Sequence, residues 1–149
     1  MALKRLNLGR VVLELPGDWA DATEDLGIPG APFTLAKEAG VGALQLSPVL
    51  YKGGKKPAFT VNVLEHMLTC FVAEKTGAHP LDVVREEGVL RLVAGTFEVG
   101  ADRVRAWYIS DGTNLVFVTY LAESRYWPGE LGECEVVVRK IAFDYSSDK

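Results

Sequence analysis

The sequence predicts a single α+β domain, residues 1–149, in which helices pack on an antiparallel β-sheet. Three observations indicate this class: a β-hairpin in the last third of the chain, an amphipathic helix near its middle, and a second amphipathic helix that closes it. Strands do not alternate regularly with helices, which disfavours a doubly wound parallel sheet. A chain of this length can bury one sizeable core.

The hairpin is the clearest of these signals. Residues 103–110 and 114–121 are rich in the β-branched and aromatic side chains that favour strands, and Asp111-Gly112 between them is typical of a tight turn. Alternation along the first strand places Trp107 and Ile109 on one face and Tyr108 on the other. The second strand returns beside the first.

Two segments carry helical periodicity. Between residues 60 and 74, apolar side chains recur at steps of three and four, and Gly77 follows as a C-terminal cap. Residues 130–140 repeat the pattern after Pro128-Gly129, with glutamates near the start and Arg139-Lys140 at the end, as the helix dipole favours. The short apolar segment 141–143 follows this helix.

The remaining strands are shorter. Residues 8–15 predict a first strand that ends at Pro16-Gly17, and residues 33–36 and 42–47 predict a second hairpin. For residues 18–25, one helical turn and an extended crossing both fit. Residues 47–57 predict a loop, and residues 81–85 and 89–99 predict two strands separated by Glu86-Glu87-Gly88.

Composition narrows the function classes. The hydrophobic fraction of 48% and charged fraction of 24% are those of an ordinary globular protein, and the net charge of −4 argues against a nucleic-acid partner. No run of about 18 apolar residues is present, so we expect no membrane span. Because the first residues lack an apolar export signal, we expect a cytoplasmic location.

The candidate chemical residues are few. Cys70 and Cys134 both fall in predicted helices, and we expect free, buried thiols rather than a disulfide. His66 and His79 lack the pair spacing of metal ligands. Cys70 and His66 share a helix face as an i, i+4 pair and could form a dyad, but nothing supplies a third orienting residue. We therefore expect no catalytic centre, no metal and no cofactor, and hence no enzyme.

The aromatic residues are the strongest binding candidates. Tyr108, Tyr120, Tyr126 and Trp127 belong to residue types that are enriched at interface hot spots. We predict that they form a contact surface for a protein partner. The alternative, packing beneath the helices, explains the same residues without a partner.

Element order also carries a family resemblance. The segment Leu13-Glu-Leu-Pro-Gly-Asp-Trp19 resembles the amino-terminal entry of the DcrB, PsbP and Mog-type fold. The hairpin over residues 107–120 resembles that fold's last central hairpin, and residues 134–143 resemble its terminal helix and short final strand. The superfamily includes lipoproteins, photosystem accessory subunits, binders of small GTPases, and the Eag-type chaperones of bacterial type VI secretion. The resemblance implies a sandwich fold with a binding or assembly role.

Three functional hypotheses are consistent with these patterns. The first is a non-enzymatic, protein-binding accessory protein of a bacterial secretion or toxin system, either an effector chaperone or an immunity protein, with a homodimer as a further option. The second is a small-ligand or lipid carrier with a cavity between sheet and helices. The third is a hydrolase that would need Cys70 or a serine beside His66 or His79.

Overall fold

The computed structural model describes residues 3–23 and 32–144. Within these ranges the chain forms ten strands, arranged in two sheets, and two helices. In chain order the elements are β1 (Leu3–Leu8), β2 (Val11–Pro16), β3 (Trp19–Asp21), β4 (Phe33–Lys37), β5 (Gly42–Val49), α1 (Val61–Thr76), β6 (Leu81–Glu87), β7 (Arg91–Val99), β8 (Asp102–Ser110), β9 (Leu115–Glu123), α2 (Trp127–Arg139) and β10 (Ala142–Phe143).

The predicted hairpin lies in the middle of the larger sheet. In the described part of the chain this sheet has seven strands in the order β3-β4-β5-β9-β8-β7-β6, with antiparallel neighbours throughout. β8 and β9 pair from Asp102 opposite Glu123 to Ser110 opposite Leu115. The Asp111 carboxylate accepts hydrogen bonds from the backbone of Thr113 and Asn114, which closes the predicted turn. The hairpin prediction is confirmed.

The smaller sheet corrects the predicted first strand. Residues 8–15 are not one strand, because the chain reverses at Gly9, whose φ of +67° lies in the left-handed region that favours glycine. β1 precedes this turn and pairs antiparallel with β2, and β10 pairs with the other edge of β2. Most side chains of β1 are exposed. Its sequence therefore carries no clear alternation of apolar and polar residues.

α1 covers part of one face of the larger sheet. It lies over β6, β7 and β8, and its buried stripe includes Leu64, Leu68 and Val72. The Thr60 hydroxyl caps its start by accepting a hydrogen bond from the backbone of Val63, and Gly77 ends it with a φ of +72°. The predicted helix and its glycine cap are confirmed.

α2 and the smaller sheet cover the opposite face. Cys134, Val137 and Val138 are buried there, together with Leu13 of β2 and Trp107 of β8. Helices thus pack on antiparallel sheets, which confirms the predicted α+β class. Among the described helices, none is both long and apolar enough to cross a membrane.

Several element boundaries differ from the prediction. α2 begins at Trp127 rather than Glu130, because Pro128 sits in the first helical turn, where its missing N–H has no partner to lose. β5 continues through Pro48 to Val49, beyond the residues that pair with β4, so that the proline breaks no bond to that strand. Residues 19–21 are extended as β3, which decides between the two interpretations of that stretch, while residues 24 and 25 lie outside the described ranges.

Candidate functional site

Three of the four aromatic residues predicted to contact a partner are buried. Tyr108, Tyr120 and Trp127 lie in the interior, whereas Tyr126 is 46% exposed. Both faces of the central hairpin lie beneath a helix at these positions, so Tyr108 points under α1 and Tyr120 points toward α2. At these three positions the structure has the alternative placement, packing beneath the helices. Partner binding by the four aromatic residues stays a prediction, with Tyr126 as the exposed member.

Tyr108 belongs to a small aromatic cluster at the border of the helix-covered area. Its ring centroid lies 4.6 Å from that of Phe117, and the ring of Phe71 meets Phe117 edge-on at 4.9 Å. Burial, and secondarily the neighbouring Cys70, raises the pKa of Tyr108 to about 12. Phe71 comes from α1 and Phe117 from β9, so α1 covers the sheet at least as far as Phe117.

Tyr120 belongs to a polar network that fixes α2 on the sheet. Its hydroxyl donates to Glu130 Oε1 at 2.9 Å, and burial followed by this contact raises the pKa of the phenol. Lys37 Nζ lies 3.5 Å from Glu130 Oε2 and 3.0 Å from Glu133 Oε2. Trp19 Nε1 donates to the same Glu133 oxygen at 3.0 Å. Each buried charge here has a partner, so structural support of α2 is sufficient to explain the network.

The sheet area beyond α1 is the most distinctive surface. We call it the open face; it comprises outward side chains of β5 and β9 beyond α1: Ala43, Gln45, Ser47, Val49, Thr119 and Leu121. Phe117 borders it and packs against Phe71 of α1. The strand register places Ala43 opposite Leu121, Gln45 opposite Thr119 and Ser47 opposite Phe117. Leu121 is 47% exposed and Val49 55%. The open face contains no charged side chain.

The sequence predicted a partner-binding sheet face without locating it on β5 and β9, although a signal for that position was present. Every second residue from 43 to 49 and from 117 to 121 is uncharged, while polar and charged residues normally occupy the solvent side of a strand. The opposite positions of both strands are largely apolar. Strands without charge on either face predict cover on both sides, and on the open-face side the described residues cover Leu115 and Phe117 but leave Leu121 and Val49 exposed.

The predicted Cys70–His66 pair exists, but at the surface. Cys70 Sγ lies 3.5 Å from His66 Nε2, and Cys70 is exposed rather than buried as expected. Cys70 is two residues from both Leu68 and Val72, about 200° around the helix from the buried stripe. Cys134 is buried, as predicted, and both thiols are free. Among the described residues, His66 has no hydrogen-bond partner except Cys70, so no third group orients the ring.

The described residues form open clefts beside the helices. One cleft of about 420 Å³ is formed by α2 together with β6, β7 and β8. Its lining combines apolar side chains with Arg105 and Glu135. Across residues 3–23 and 32–144, no three histidine, cysteine or acidic residues group closely enough to hold a metal ion.

Comparison with known proteins identifies the fold. No protein-family model matches the sequence, and no curated protein matches it. The solution structure of cyanobacterial PsbP (CyanoP) from Synechocystis sp. PCC 6803 is similar with a TM-score of 0.65 and 10% identity, over 95% of this chain and 92% of that one. A crystal structure from Bacteroides thetaiotaomicron is similar with a TM-score of 0.59 and 12% identity, over 93% of this chain but 46% of that one.

These likenesses show a PsbP-like fold. They confirm the PsbP part of the resemblance expected from the element order, and they agree with two helices packed against antiparallel sheets. At 10% to 12% identity, these similarities show the fold alone. The kinship with Eag-type chaperones of type VI secretion stays a prediction.

Proposed function

We propose that this PsbP-like chain is a non-enzymatic accessory protein that binds a protein partner through its open face. The observation that carries the proposal is an uncharged strip of sheet beside α1, in which Leu121 is 47% and Val49 55% exposed. The cores of protein interfaces are depleted of charged residues. On a sheet face beside a helix, an apolar segment of a partner can remove Leu121 and Val49 from water.

The exposed position of the Cys70–His66 pair supports the proposal that the chain is not an enzyme. The pair lies on the outer side of α1, where solvent screens charges and no second described element encloses a substrate. Nucleophilic catalysis also requires the base to be oriented by a further group. In the described residues His66 has none.

The finer proposal is an effector chaperone or an immunity protein of a bacterial secretion or toxin system, acting in the cytoplasm. It rests on the resemblance to the superfamily that contains Eag-type chaperones. A chaperone would cover an apolar segment of its effector, and an immunity protein would abolish the activity of its toxin. The two versions therefore differ in what happens to the partner's activity after binding.

Copurification from native lysate tests the proposal. The wild-type chain, a Leu121→Glu variant and a Val89→Glu control serve as baits, and mass spectrometry identifies what each retains. Val89 is fully exposed in the turn between β6 and β7, so its substitution introduces the same charge away from the open face. We expect a partner retained by wild type and the control but reduced at least about tenfold for Leu121→Glu. Equal retention by all three baits would contradict the proposal.

A small-ligand carrier is the second candidate function. The cleft of about 420 Å³ between α2 and the sheet favours it, since ligand pockets of roughly 300–1,000 Å³ are usual. The buried Arg105 in its lining suits a small polar ligand better than a lipid tail. Native mass spectrometry of the purified chain distinguishes the two functions, because a carrier retains a small molecule and an accessory protein retains a polypeptide.

A further inference from the structure

The cleft between α2 and the sheet, here called the edge cleft, lies beside β6, the last strand of the larger sheet. Trp127 and Leu131 of α2 line it on one side, and Val84, Thr96 and Arg105 of the sheet line it on the other. It is on the opposite side of the sheet from the open face. A ligand in the edge cleft would therefore bind independently of a protein partner on the open face.

Trp127 supplies an unused hydrogen-bond donor. The residue is 7% exposed, and its Nε1 has no hydrogen-bond partner within residues 3–23 and 32–144. Indole N–H groups that are buried in proteins usually find an acceptor. By contrast, Nε1 of Trp19 donates to Glu133 and Nε1 of Trp107 donates to Glu135. Trp127 is thus the exception among the three tryptophans.

Arg105 supplies a buried positive charge at the same cleft. The residue is 4% exposed; its Nη1 donates to the Asp82 carbonyl oxygen at 2.7 Å and to Thr96 Oγ1 at 3.0 Å. Its Nε makes no hydrogen bond to any described residue, although Glu135 Oε2 lies 3.4 Å away. Burial is the largest influence on the Arg105 pKa and lowers it, so the surrounding acceptors do not fully replace water around the guanidinium.

Glu135 is shared among several donors. Its Oε1 accepts from Trp107 Nε1 at 2.8 Å and from Arg139 Nη1 at 2.6 Å, while Oε2 faces Arg105. One carboxylate therefore serves two arginines and an indole. A second acceptor can still form hydrogen bonds with Arg105 Nε and Trp127 Nε1.

The geometry points to the edge cleft as a binding site for a carboxylate group, whose oxygens accept from Trp127 Nε1 and Arg105 Nε. Charge assistance from a guanidinium makes such bonds stronger than neutral ones, and Val84 and Leu131 offer apolar contact for the attached carbon atoms. A volume of about 420 Å³ exceeds one water, which occupies about 30 Å³. Asp82 and Glu135 also line the cleft and repel any anion, a doubly charged phosphate more strongly than a singly charged carboxylate. The carboxylate can belong to a free organic acid or to an acidic side chain of a polypeptide.

Indole N–H signals in nitrogen–proton NMR spectra provide the test. The chain has three tryptophans, and Trp127→Phe assigns the Trp127 signal by its loss. The wild-type chain is titrated with acetate, with neutral acetamide, and with inorganic phosphate at matched ionic strength. We expect saturable movement of the Trp127 signal with acetate and none with acetamide or phosphate.

Matched variants separate binding from structural effects. Arg105→Lys keeps the positive charge but removes Nε, and Trp127→Phe keeps an aromatic ring but removes the donor; each should weaken acetate binding about tenfold, as measured by calorimetry. Trp19→Phe, which removes a donor outside the cleft, should leave it unchanged. Acetate binding that survives Trp127→Phe, or a Trp127 signal that acetate does not move, would overturn the assignment.

The source of the carboxylate is distinguished with N-acetyl aspartate N-methylamide and its asparagine counterpart. Tighter binding of the aspartate compound than of acetate supports an acidic side chain as the occupant, and tighter binding of acetate supports a free acid. Equal binding of the aspartate and asparagine compounds would contradict a carboxylate site in either form.

Discussion

The two cysteines illustrate how position on a helix decides the chemistry of a residue. Cys70 lies on the exposed side of α1, 3.5 Å from His66 Nε2, whereas Cys134 is buried beneath α2. Burial, followed by nearby Glu130 and Glu133, raises the pKa of the Cys134 thiol. Reactivity of a thiol requires both access and the thiolate form. The two residues should therefore differ widely in reactivity.

We predict that one thiol per chain reacts with a maleimide under native conditions. Cys70→Ser should abolish this fast reaction, and Cys134→Ser should leave it unchanged. In denaturant both thiols should react, which provides the control for reagent activity. Mass spectrometry of labelled peptides measures the outcome, and rapid native labelling of Cys134 would contradict the described packing of α2.

Tyr108 leads to a prediction about alkaline stability. Its pKa rises from an ordinary 10.0 to about 12 because the phenol is buried. A raised folded-state pKa favours the neutral phenol in the folded chain, so this contribution is fully present below about pH 10 and is lost between about pH 10 and pH 12. The loss attributable to Tyr108 is at most about 2–3 kcal/mol.

Urea unfolding of wild type and Tyr108→Phe at pH 8 and pH 11 measures this effect. We expect wild type to lose more free energy of unfolding between the two pH values than the variant does. Tyr126→Phe, which changes an exposed tyrosine, should behave as wild type. A Tyr108→Phe variant with the same pH dependence as wild type would contradict burial of the phenol.

At the scale of elements, α1 is specified by its own residues. Thr60 accepts the hydrogen bond from the Val63 backbone at 3.1 Å, and Gly77 adopts the left-handed conformation that ends the helix. We predict that Thr60→Ala lowers the free energy of unfolding by about 1 kcal/mol, because the backbone N–H loses its acceptor. Thr60→Ser retains the acceptor and should cost less. Equal losses for both variants, measured by urea unfolding, would contradict the capping role.

The elements that could be predicted from the sequence are those with local signals. α1 and the β8–β9 hairpin follow from apolar spacing and turn residues that lie next to each other in the chain. β1 could not be recognised, because its exposed side chains carry no alternation and its turn at Gly9 interrupts what the sequence pattern indicates as one strand. The predicted start of α2, residue 130, lies after the observed start at Trp127, because Pro128 is as typical of a helix break as of a first helical turn.

The candidate site was harder to predict from the sequence than the helices and strands were. Strand alternation correctly separates Tyr108 from Trp107 and Ile109, but it does not say which face a helix will cover. Tyr108 and Tyr120 were therefore expected at a partner surface and lie inside. The packing of α1 and α2 on the sheet buries both tyrosines. The local sequence around each tyrosine does not indicate where those helices pack.

At the scale of the whole molecule, coverage of the larger sheet is unequal. α2 and the smaller sheet cover one face, while α1 covers β6, β7 and β8 on the other. The open face is the part of β5 and β9 that remains without a described helix above it. This uncovered, uncharged part of the sheet is the physical basis for the proposed partner binding.

Hydroxyl-radical footprinting of the chain in complex with its copurified partner tests this claim most directly. We expect oxidation of Leu121 and Val49 to fall on binding, because the partner excludes water from the open face. Leu81 and Val89, which are exposed at and near the β6 edge, should be oxidised equally in the free and bound chain. Unchanged oxidation of the open face, with protection elsewhere, would contradict the proposed binding surface.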